Sequence, residues 1–300
     1  MIRPPRLRDG ARVALVAPAG PVTRERIDAA VAHCEVLGLE PVLGQCALRR
    51  YAGYLAGNDA ERLADLRWAL TEPEIDAVWA LRGGYGTMRL LPELDLAPLV
   101  TAPRAFLGFS DNTAVHLALH ARGVISFHAP HAGNNASELA LRTMKAVLWT
   151  AAPAGALELP ADTTTTTLCA GVTEAPLIGG NLTLLAALCG TPAQPAAAGA
   201  ILFVEEIGEE PYRIDRAWTQ LVLSGVLDRV AGVVVGHFTE CGKRDQLLEL
   251  LHRLVAPLGV PAVAGLPIGH QDDNWTLPLG VRSRLDAGNA TLALLEPAVS

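Results

Sequence analysis

Residues 105–120 read AFLGFSDNTAVHLALH, in which an apolar run is followed by a serine, a polar segment and a second apolar stretch with helical period. This order predicts a strand, a tight turn and a helix, with Ser110 at the turn. Gly108 leaves room for a sharp turn. A serine between a strand and a helix stands clear of the sheet edge with helix N–H groups behind it, so this position suits an exposed nucleophile.

The same segment also fits a simpler interpretation, in which Ser110 and Asp111 only cap the helix. Ser, Asp and Asn are the preferred residues at helix N-termini, and such turns are common in α/β proteins. The pattern is not the five-residue G-x-S-x-G elbow either, because Asn112 stands where the second glycine would be. The segment alone favours the cap, and a catalytic serine therefore requires partners elsewhere in the chain.

The composition indicates a globular protein that binds neither nucleic acid nor membrane. The 300 residues carry 24 Lys and Arg against 31 Asp and Glu, a net charge of −7, and half of them are apolar. The basic residues are scattered, so nucleic acid and anionic membranes are not expected partners. Positive charge precedes an apolar run near the N-terminus, but that run is short and contains Pro18, so it predicts a first strand rather than an export signal.

The cysteines indicate a reducing compartment. They are odd in number, widely spaced and contain no C-x-x-C pair, so neither a disulfide framework nor a zinc site is expected. We therefore expect a cytoplasmic protein. The five residues are Cys34, Cys46, Cys169, Cys189 and Cys241.

The order of predicted elements indicates an α/β protein with two domains. In residues 1–150, strands alternate with helices, which predicts a doubly wound, mainly parallel sheet with functional groups at the carboxyl ends of its strands. Residues 151–167, AAPAGALELPADTTTTT, lack a helical period and predict a linker. Residues 168–300 are richer in predicted strands and form an α+β domain. The active site is then expected in the cleft between the two domains.

A glycine cluster, RGGYG at residues 82–86, follows a predicted buried strand and is expected to precede a helix. Close-set glycines after a strand can hold a phosphate, but this spacing matches neither a dinucleotide-binding loop nor a P-loop. The cluster can also be a tight turn. A third interpretation is that its backbone N–H groups approach a substrate oxygen and form an oxyanion hole with the N–H that follows Ser110.

A nucleophilic serine needs a base, and His270 has the most suitable surroundings among the eight histidines. It lies in a polar loop after a predicted strand, between glycines and prolines, where a mobile base is expected. His116 and His120 are four residues apart on one helix and could share a metal, but no third ligand is evident, so a structural role is favoured. Three further histidines lie at predicted strand ends and could line a pocket: His128, His131 and His237.

A base needs an orienting carboxylate. One is found at Glu205, which ends a predicted apolar strand in residues 200–216, AILFVEEIGEEPYRIDR. Burial of Glu205 is costly unless a cation or hydrogen-bond donor meets it. Strand alternation allows only one of Glu205 and Glu206 to point into a cleft. The alternative is that both are solvated and pair with Arg213 or Arg216.

Taken together, these segments resemble the LD-carboxypeptidase family of serine peptidases, which includes the murein tetrapeptide carboxypeptidases and the microcin C self-immunity proteins. The similar segments run in family order from the first strand almost to the C-terminus. They are VALVAPAGPV at 13–22, RGGYG at 82–86, GFSDNT at 108–113, IGGNL at 178–182, FVEEIGEEPYRIDR at 203–216 and GHQDDNWTLPLG at 269–280. Their joint occurrence is far more specific than any one motif.

The resemblance implies a Ser–Glu–His triad of Ser110 as nucleophile, Glu205 as orienting acid and His270 as general base. It also implies an oxyanion hole formed by the backbone N–H groups of Gly84 and Asp111. The serine would lie on the N-terminal domain and the other two residues on the C-terminal domain. The family often forms homodimers, and no metal or organic cofactor is implied.

The activity implied is hydrolysis of the amide between an L-centre and a C-terminal D-residue, as in release of D-alanine from muropeptide tetrapeptides during peptidoglycan recycling. An alternative within the same chemistry is a microcin-C-type immunity peptidase that cleaves an aminoacyl-nucleotide or peptidyl-nucleotide amide. That enzyme needs an aromatic side chain to stack on the base. Trp275 is a candidate, but residues 151–167 contain no aromatic, and we favour the muropeptide. A non-catalytic binding module is disfavoured because all three triad residues are present.

Overall fold

The computed structural model describes residues Met1–Ser300. The strands are β1 Arg12–Val16, β2 Glu40–Leu43, β3 Ala77–Ala80, β4 Ala105–Gly108, β5 Phe127–His128, β6 Gly155–Ala156, β7 Thr166–Cys169, β8 Val172–Asn181, β9 Ile201–Ile207, β10 Gly232–Thr239, β11 Ala262–Ala264, β12 Leu277–Pro278, β13 Arg282–Asp286 and β14 Thr291–Leu294. The helices are α1 Arg24–Val36, α2 Asp59–Thr71, α3 Pro98–Thr101, α4 Thr113–Ala121, α5 Glu138–Leu148, α6 Leu182–Ala187, α7 Pro211–Leu223 and α8 Arg244–Val255.

The first sheet has six strands in the order β12-β5-β4-β3-β1-β2. All neighbours are parallel except β12, which pairs antiparallel with β5. Strands β3 and β4 are buried along their whole length, as expected for parallel strands covered on both faces. The loops that follow β1, β3 and β4 therefore meet at one edge of this sheet, and the nucleophile turn is among them.

The second sheet has eight strands in the order β6-β14-β13-β8-β9-β10-β11-β7. Its centre, from β8 to β11, is parallel, and antiparallel strands flank it on both sides. The predicted two-domain α/β architecture is confirmed, and the C-terminal sheet is mixed. Part of the 151–167 segment belongs to this sheet, because β6 and the start of β7 lie at its two edges.

The two sheets share one apolar core and several direct contacts. A continuous cluster of buried side chains extends from β1 in the first sheet to β14 in the second. Strand β12 crosses from the C-terminal half of the chain to complete the first sheet. The backbone N–H of Asn181 donates a 3.0 Å hydrogen bond to Thr113 Oγ1, which joins the end of β8 to the start of α4. The two halves of the chain are therefore joined by a hydrogen bond only three residues from Ser110.

Two local predictions are corrected by the structure. The RGGYG segment leads into a single 3₁₀ turn, Thr87–Leu90, instead of the predicted helix. Ser110 and Asp111 do not cap a helix with their side chains. The 3₁₀ turn Ser110–Asn112 and the following α4 both begin without a side-chain cap, because the Asp111 carboxylate accepts hydrogen bonds from Thr87 instead. The cap interpretation of this segment is therefore wrong.

Candidate active site

Ser110 has an unusual backbone conformation and a free hydroxyl. Its φ is +58°, one of four positive values outside glycine in this chain. Non-glycine residues adopt this left-handed region at a cost, and such residues are frequent at functional sites. The Ser110 side chain is partly exposed, and its hydroxyl makes no hydrogen bond within the chain. The turn thus holds a partly exposed, unpaired hydroxyl group at a cost in backbone energy.

The glycine cluster packs directly against this turn. A Cβ atom on Gly83 would lie 2.9 Å from Ser110 Cβ and 3.1 Å from Asp111 N, closer than side chains pack. The carbonyl of Gly83 accepts a 3.0 Å hydrogen bond from Gly20 N, so the loop after β1 supports it from behind. Gly84 has a φ of +106°, and its N–H donates no hydrogen bond within the chain. Only a residue without a side chain fits at Gly83.

Asp111 connects the nucleophile turn to the glycine loop through its side chain. The carboxylate accepts hydrogen bonds from Thr87 N at 2.8 Å and Thr87 Oγ1 at 2.6 Å. Burial raises the pKa of Asp111, while the hydrogen bonds from Thr87 act in the opposite direction. These contacts fix the position of the two backbone segments that carry Gly84 and Asp111. The sequence contained no signal for this role of Thr87.

Glu205 and His270 are in direct contact. His270 Nδ1 donates a 2.7 Å hydrogen bond to Glu205 Oε2, and Glu205 is completely buried at the end of β9. Gly269 makes this approach possible, because a Cβ atom there would lie 2.8 Å from the same carboxylate oxygen. With its proton on Nδ1, the imidazole has Nε2 free to accept a proton, which is the arrangement a general base requires.

Glu206 points away from this pair and is also buried. Its carboxylate accepts hydrogen bonds from Asn181 Nδ2 at 2.7 Å and from Thr183 N and Oγ1 at 2.9 and 2.8 Å, at the start of α6. Burial raises the pKa of Glu206, and these hydrogen bonds partly oppose that effect. The alternative that both acids are solvated and pair with Arg213 or Arg216 is wrong, because both are buried and Arg213 pairs with Glu209.

The ring of Phe109 lies between the serine turn and the base. Its centroid is 4.7 Å from that of His270. Phe109 immediately precedes Ser110, so this contact brings the C-terminal loop that carries His270 next to the nucleophile turn. The Ser110 hydroxyl and the His270 ring make no hydrogen bond to each other in this structure. Of the three predicted triad residues, the acid and the base are in contact, and the serine lies on the adjacent turn.

Three other histidines are buried: His116 on α4, His128 at the end of β5 and His131 in the loop that follows β5. Burial lowers the pKa of His116 to about 4; its Nε2 donates to Gly108 O at 2.7 Å, and its Nδ1 accepts from Ser126 Oγ. His128 and His131 are buried, and burial lowers the pKa of both well below the usual range. These two histidines, which the sequence suggested could line a pocket, belong to neither of the two cavities beside His270.

Two cavities adjoin His270. The larger, of about 790 Å³, lies over the C-terminal sheet and includes His237, Phe238 and Arg244. The smaller, of about 430 Å³, is lined by Phe109, Arg26 and Asn134. Sequence reasoning missed these last two, because an arginine in the first turn of a helix and an asparagine in a loop both resemble ordinary surface residues. His237, predicted to line a pocket, does so.

Trp275 is not available for stacking. Its side chain is completely buried, and its indole N–H donates a 2.9 Å hydrogen bond to the carbonyl of Glu158. The proposal that it could stack on a nucleobase is therefore wrong.

The structure contains no group of three or more His, Cys, Asp or Glu side chains that could hold a metal ion. None of its helices has the length and apolar character of a membrane span.

Comparison with known proteins places the chain in a family. Residues 13–129 match the family model described as the LD-carboxypeptidase N-terminal domain, and residues 174–285 match that of the LD-carboxypeptidase C-terminal domain. The two matches, which cover most of the chain, define a hydrolase of the serine peptidase class. The chain belongs to the LD-carboxypeptidase family.

Individual relatives align along almost the whole chain. A putative carboxypeptidase of Streptomyces coelicolor is 42% identical over 100% of this chain and 98% of its own length. The murein tetrapeptide carboxypeptidase of Pseudomonas aeruginosa is 37% identical over 92% and 93%. Among solved structures, the microcin C7 self-immunity protein MccF in complex with aspartyl sulfamoyl adenosine has a TM-score of 0.91 at 23% identity over 100% of both chains, which shows the shared fold.

Proposed function

We propose that the protein is a serine LD-carboxypeptidase that releases D-alanine from muropeptide tetrapeptides in peptidoglycan recycling. The observation that carries this proposal is the 2.7 Å hydrogen bond between His270 and buried Glu205 next to the turn of Ser110. The identity of 37% to a murein tetrapeptide carboxypeptidase supports the substrate class. Ser110, Glu205 and His270 are the proposed catalytic triad.

The chemistry would follow the general logic of serine peptidases. Ser110 Oγ attacks the scissile carbonyl carbon while His270 Nε2 takes the hydroxyl proton. The C–N bond then breaks, His270 returns the proton to the leaving amine, and D-alanine departs. Water, deprotonated by the same imidazole, attacks the acyl ester and restores the Ser110 hydroxyl. Glu205 holds the tautomer with the proton on Nδ1 and stabilises the imidazolium between these steps.

The N–H groups of Gly84 and Asp111 are the proposed donors to the oxyanion. Three features support this assignment: the free N–H of Gly84, the close approach of Gly83 to Asp111 N, and the anchoring of both segments by the Asp111 side chain. Backbone donors that are already held in place stabilise developing charge without reorganisation, and each is worth about 3 kcal/mol of activation free energy in other enzymes.

A second candidate function is hydrolysis of an aminoacyl-nucleotide amide. It is favoured by the likeness of this chain to MccF, whose solved complex contains aspartyl sulfamoyl adenosine, and by the size of the 790 Å³ cavity. The burial of Trp275 removes one aromatic side chain that could hold a base. The muropeptide remains the leading proposal.

The two functions are separated by the specificity constant of the purified protein for each substrate class. We expect kcat/KM for L-Ala-γ-D-Glu-meso-diaminopimelate-D-Ala to exceed that for an aspartyl-nucleotide amide by at least about 100-fold, a difference of about 2.7 kcal/mol in transition-state binding. The reverse order would contradict the muropeptide proposal and favour the second candidate.

Two further aspects of the proposal are the cellular compartment and the oligomeric state. We propose a cytoplasmic enzyme, on the basis of its unpaired cysteines, and a homodimer, as implied by the family resemblance. Light scattering coupled to size-exclusion chromatography tests the second point directly. A mass near 31.6 kDa at micromolar concentration would contradict the dimer.

A further inference from the structure

Arg26 is a cation without an anionic partner at the wall of the smaller cavity. It lies in the first turn of α1 and is half-buried, and its Nε atom is fully buried without a hydrogen-bond partner. No carboxylate of the chain lies within ion-pair distance, and the pKa of Arg26 is lowered by burial and by the nearby positive charge of Arg82. An unpaired buried charge is costly, so this guanidinium is suited to an anion from outside the chain.

The side chain of Asn134 orients this guanidinium. Its Oδ1 accepts a hydrogen bond from Arg26 Nη2, and its Nδ2 makes no hydrogen bond within the chain. The two side chains therefore offer several N–H donors to the same cavity. A planar guanidinium matches the two oxygens of a carboxylate, and an amide N–H can add a third donor.

The position of this cavity relative to His270 indicates which carboxylate it receives. His270 also lines the cavity, and in the proposed reaction it protonates the nitrogen of the departing residue. In a C-terminal residue, the carboxylate carbon is two bonds from that nitrogen. The volume of about 430 Å³ is ample for one departing residue, and the cavity of about 790 Å³ that also adjoins His270 is large enough for the rest of the peptide.

We propose that Arg26, oriented by Asn134, binds the carboxylate of the C-terminal residue of the substrate and so makes the enzyme a carboxypeptidase. This inference rests on the proposed function and adds the group that selects a free C-terminus. The side chain of Arg26 hydrogen-bonds to Asn134 and makes no hydrogen bond to Ser110, Glu205 or His270. It acts on substrate selection.

The test compares the free-acid tetrapeptide with the same peptide ending in D-alanine amide. We expect wild type to prefer the acid, and Arg26→Gln to lose about 10- to 150-fold in kcat/KM on the acid, as for loss of a charge-assisted hydrogen bond. On the amide, the same variant changes by less than about threefold. The ratio of the two specificity constants therefore collapses, which a purely structural role of Arg26 would not cause.

Two further variants make the comparison specific. Arg24→Gln removes an exposed arginine from the same helical turn outside the cavity and should leave the ratio unchanged. Arg26→Lys keeps the charge but not the planar fork, and should retain an intermediate preference. Binding of both peptides to Ser110→Ala, measured by calorimetry, should show the same acid preference without turnover, and Arg26→Gln in that background should abolish it.

The outcomes separate this inference from the proposed function. If wild type hydrolyses both peptides equally, or if Arg26→Gln loses activity equally on both, the assignment of Arg26 is overturned while the peptidase activity stands. If wild type hydrolyses neither peptide, releasing neither D-alanine nor D-alanine amide, and the inactive serine variant binds neither, the proposed function and this inference both fail. If wild type has the same kcat/KM for the acid and the amide peptide, the inference is overturned even if the Arg26 variants do not fold.

Discussion

Glu205 and Glu206 are neighbours in sequence with different environments. Glu205 contacts His270, whereas Glu206 accepts four hydrogen bonds, three of them from the β8–α6 junction. The period of two along β9 sends the two carboxylates to opposite faces. The proposed catalytic acid and the structural acid are therefore consecutive residues that differ only in the face of the strand on which they lie.

Glu205→Gln should remove activity without removing the fold. The amide of glutamine can donate a hydrogen bond to Nδ1, which favours the tautomer with the proton on Nε2. In that tautomer His270 cannot take the proton of Ser110 through Nε2, so kcat should fall by about 10⁴-fold. The measurement is steady-state kinetics on the tetrapeptide, together with a thermal melt.

Glu206→Gln is the matched control for this prediction. An amide group cannot accept from all the donors that now surround Glu206, so we expect a loss of about 1–3 kcal/mol in the free energy of unfolding. The effect on kcat should be much smaller than that of Glu205→Gln. Equal losses of activity in the two variants would contradict the assignment of Glu205 as the orienting acid.

At the scale of elements, the site depends on the contact between two loops of the first sheet. The turn after β4 carries Ser110, and the loop after β3 carries the glycine cluster. Gly83 faces Ser110 so closely that the position excludes any side chain. The backbone strain at Ser110 and the glycine opposite it are two parts of the same arrangement.

Gly83→Ala should displace the nucleophile turn. The new methyl group would lie 2.9 Å from Ser110 Cβ, so one loop must move by several tenths of an ångström. A misplacement of this kind in a catalytic group can lower kcat by about 100-fold. The measurement is kcat on the tetrapeptide, supported by a thermal melt to show that the protein is folded.

The control for Gly83→Ala is Gly288→Ala, in the β13–β14 turn. Gly288 has no positive φ, and the nearest atom to its added methyl is Asp286 Oδ1 at 3.7 Å. This variant should keep the activity of wild type. Full activity of Gly83→Ala would show that the close approach of the glycine loop is irrelevant to catalysis.

The sequence predicted these elements unevenly, for physical reasons. The strand, turn and serine at residues 105–110 carry a strong local pattern, and the structure has the predicted strand and turn there, with Ser110 two residues after the end of β4. The segment after RGGYG was predicted wrongly as a helix, because Asp111, distant in sequence, accepts hydrogen bonds from Thr87 and stabilises a single turn instead. Contacts between distant residues leave no local periodicity.

At the scale of the whole molecule, the two sheets share one apolar core. The alternation of strands and helices predicted two domains, but nothing in the sequence indicated that Leu277–Pro278 would complete the first sheet. A two-residue strand carries too little pattern to be read locally. Arg26 and Asn134 escaped prediction for a similar reason, since only the assembled fold brings them beside His270.

The buried histidines of this core predict a loss of stability in mild acid. His116 has its pKa lowered from 6.5 to about 4 by burial, and His128 and His131 are shifted in the same direction. Between these pH values the unfolded chain binds protons that the folded chain does not, so the stability present above pH 6.5 decreases as the pH falls toward 4. His116 alone accounts for about 3 kcal/mol of this loss.

Denaturant titration at pH 7 and pH 5 measures this effect. We expect the free energy of unfolding to be lower at pH 5, and the difference to become smaller in His116→Gln, which cannot titrate. Equal stability of wild type at the two pH values would show that these histidines are not held neutral in the fold.

The account as a whole is tested most directly by mass spectrometry of the tetrapeptide L-Ala-γ-D-Glu-meso-diaminopimelate-D-Ala after incubation with the purified protein. We predict that wild type removes one alanine, identified as the D-enantiomer, and that Ser110→Ala, folded to the same degree, removes none. Release of D-alanine at the wild-type rate by Ser110→Ala would contradict the assignment of the nucleophile. An intact tetrapeptide with wild type would contradict the proposed substrate.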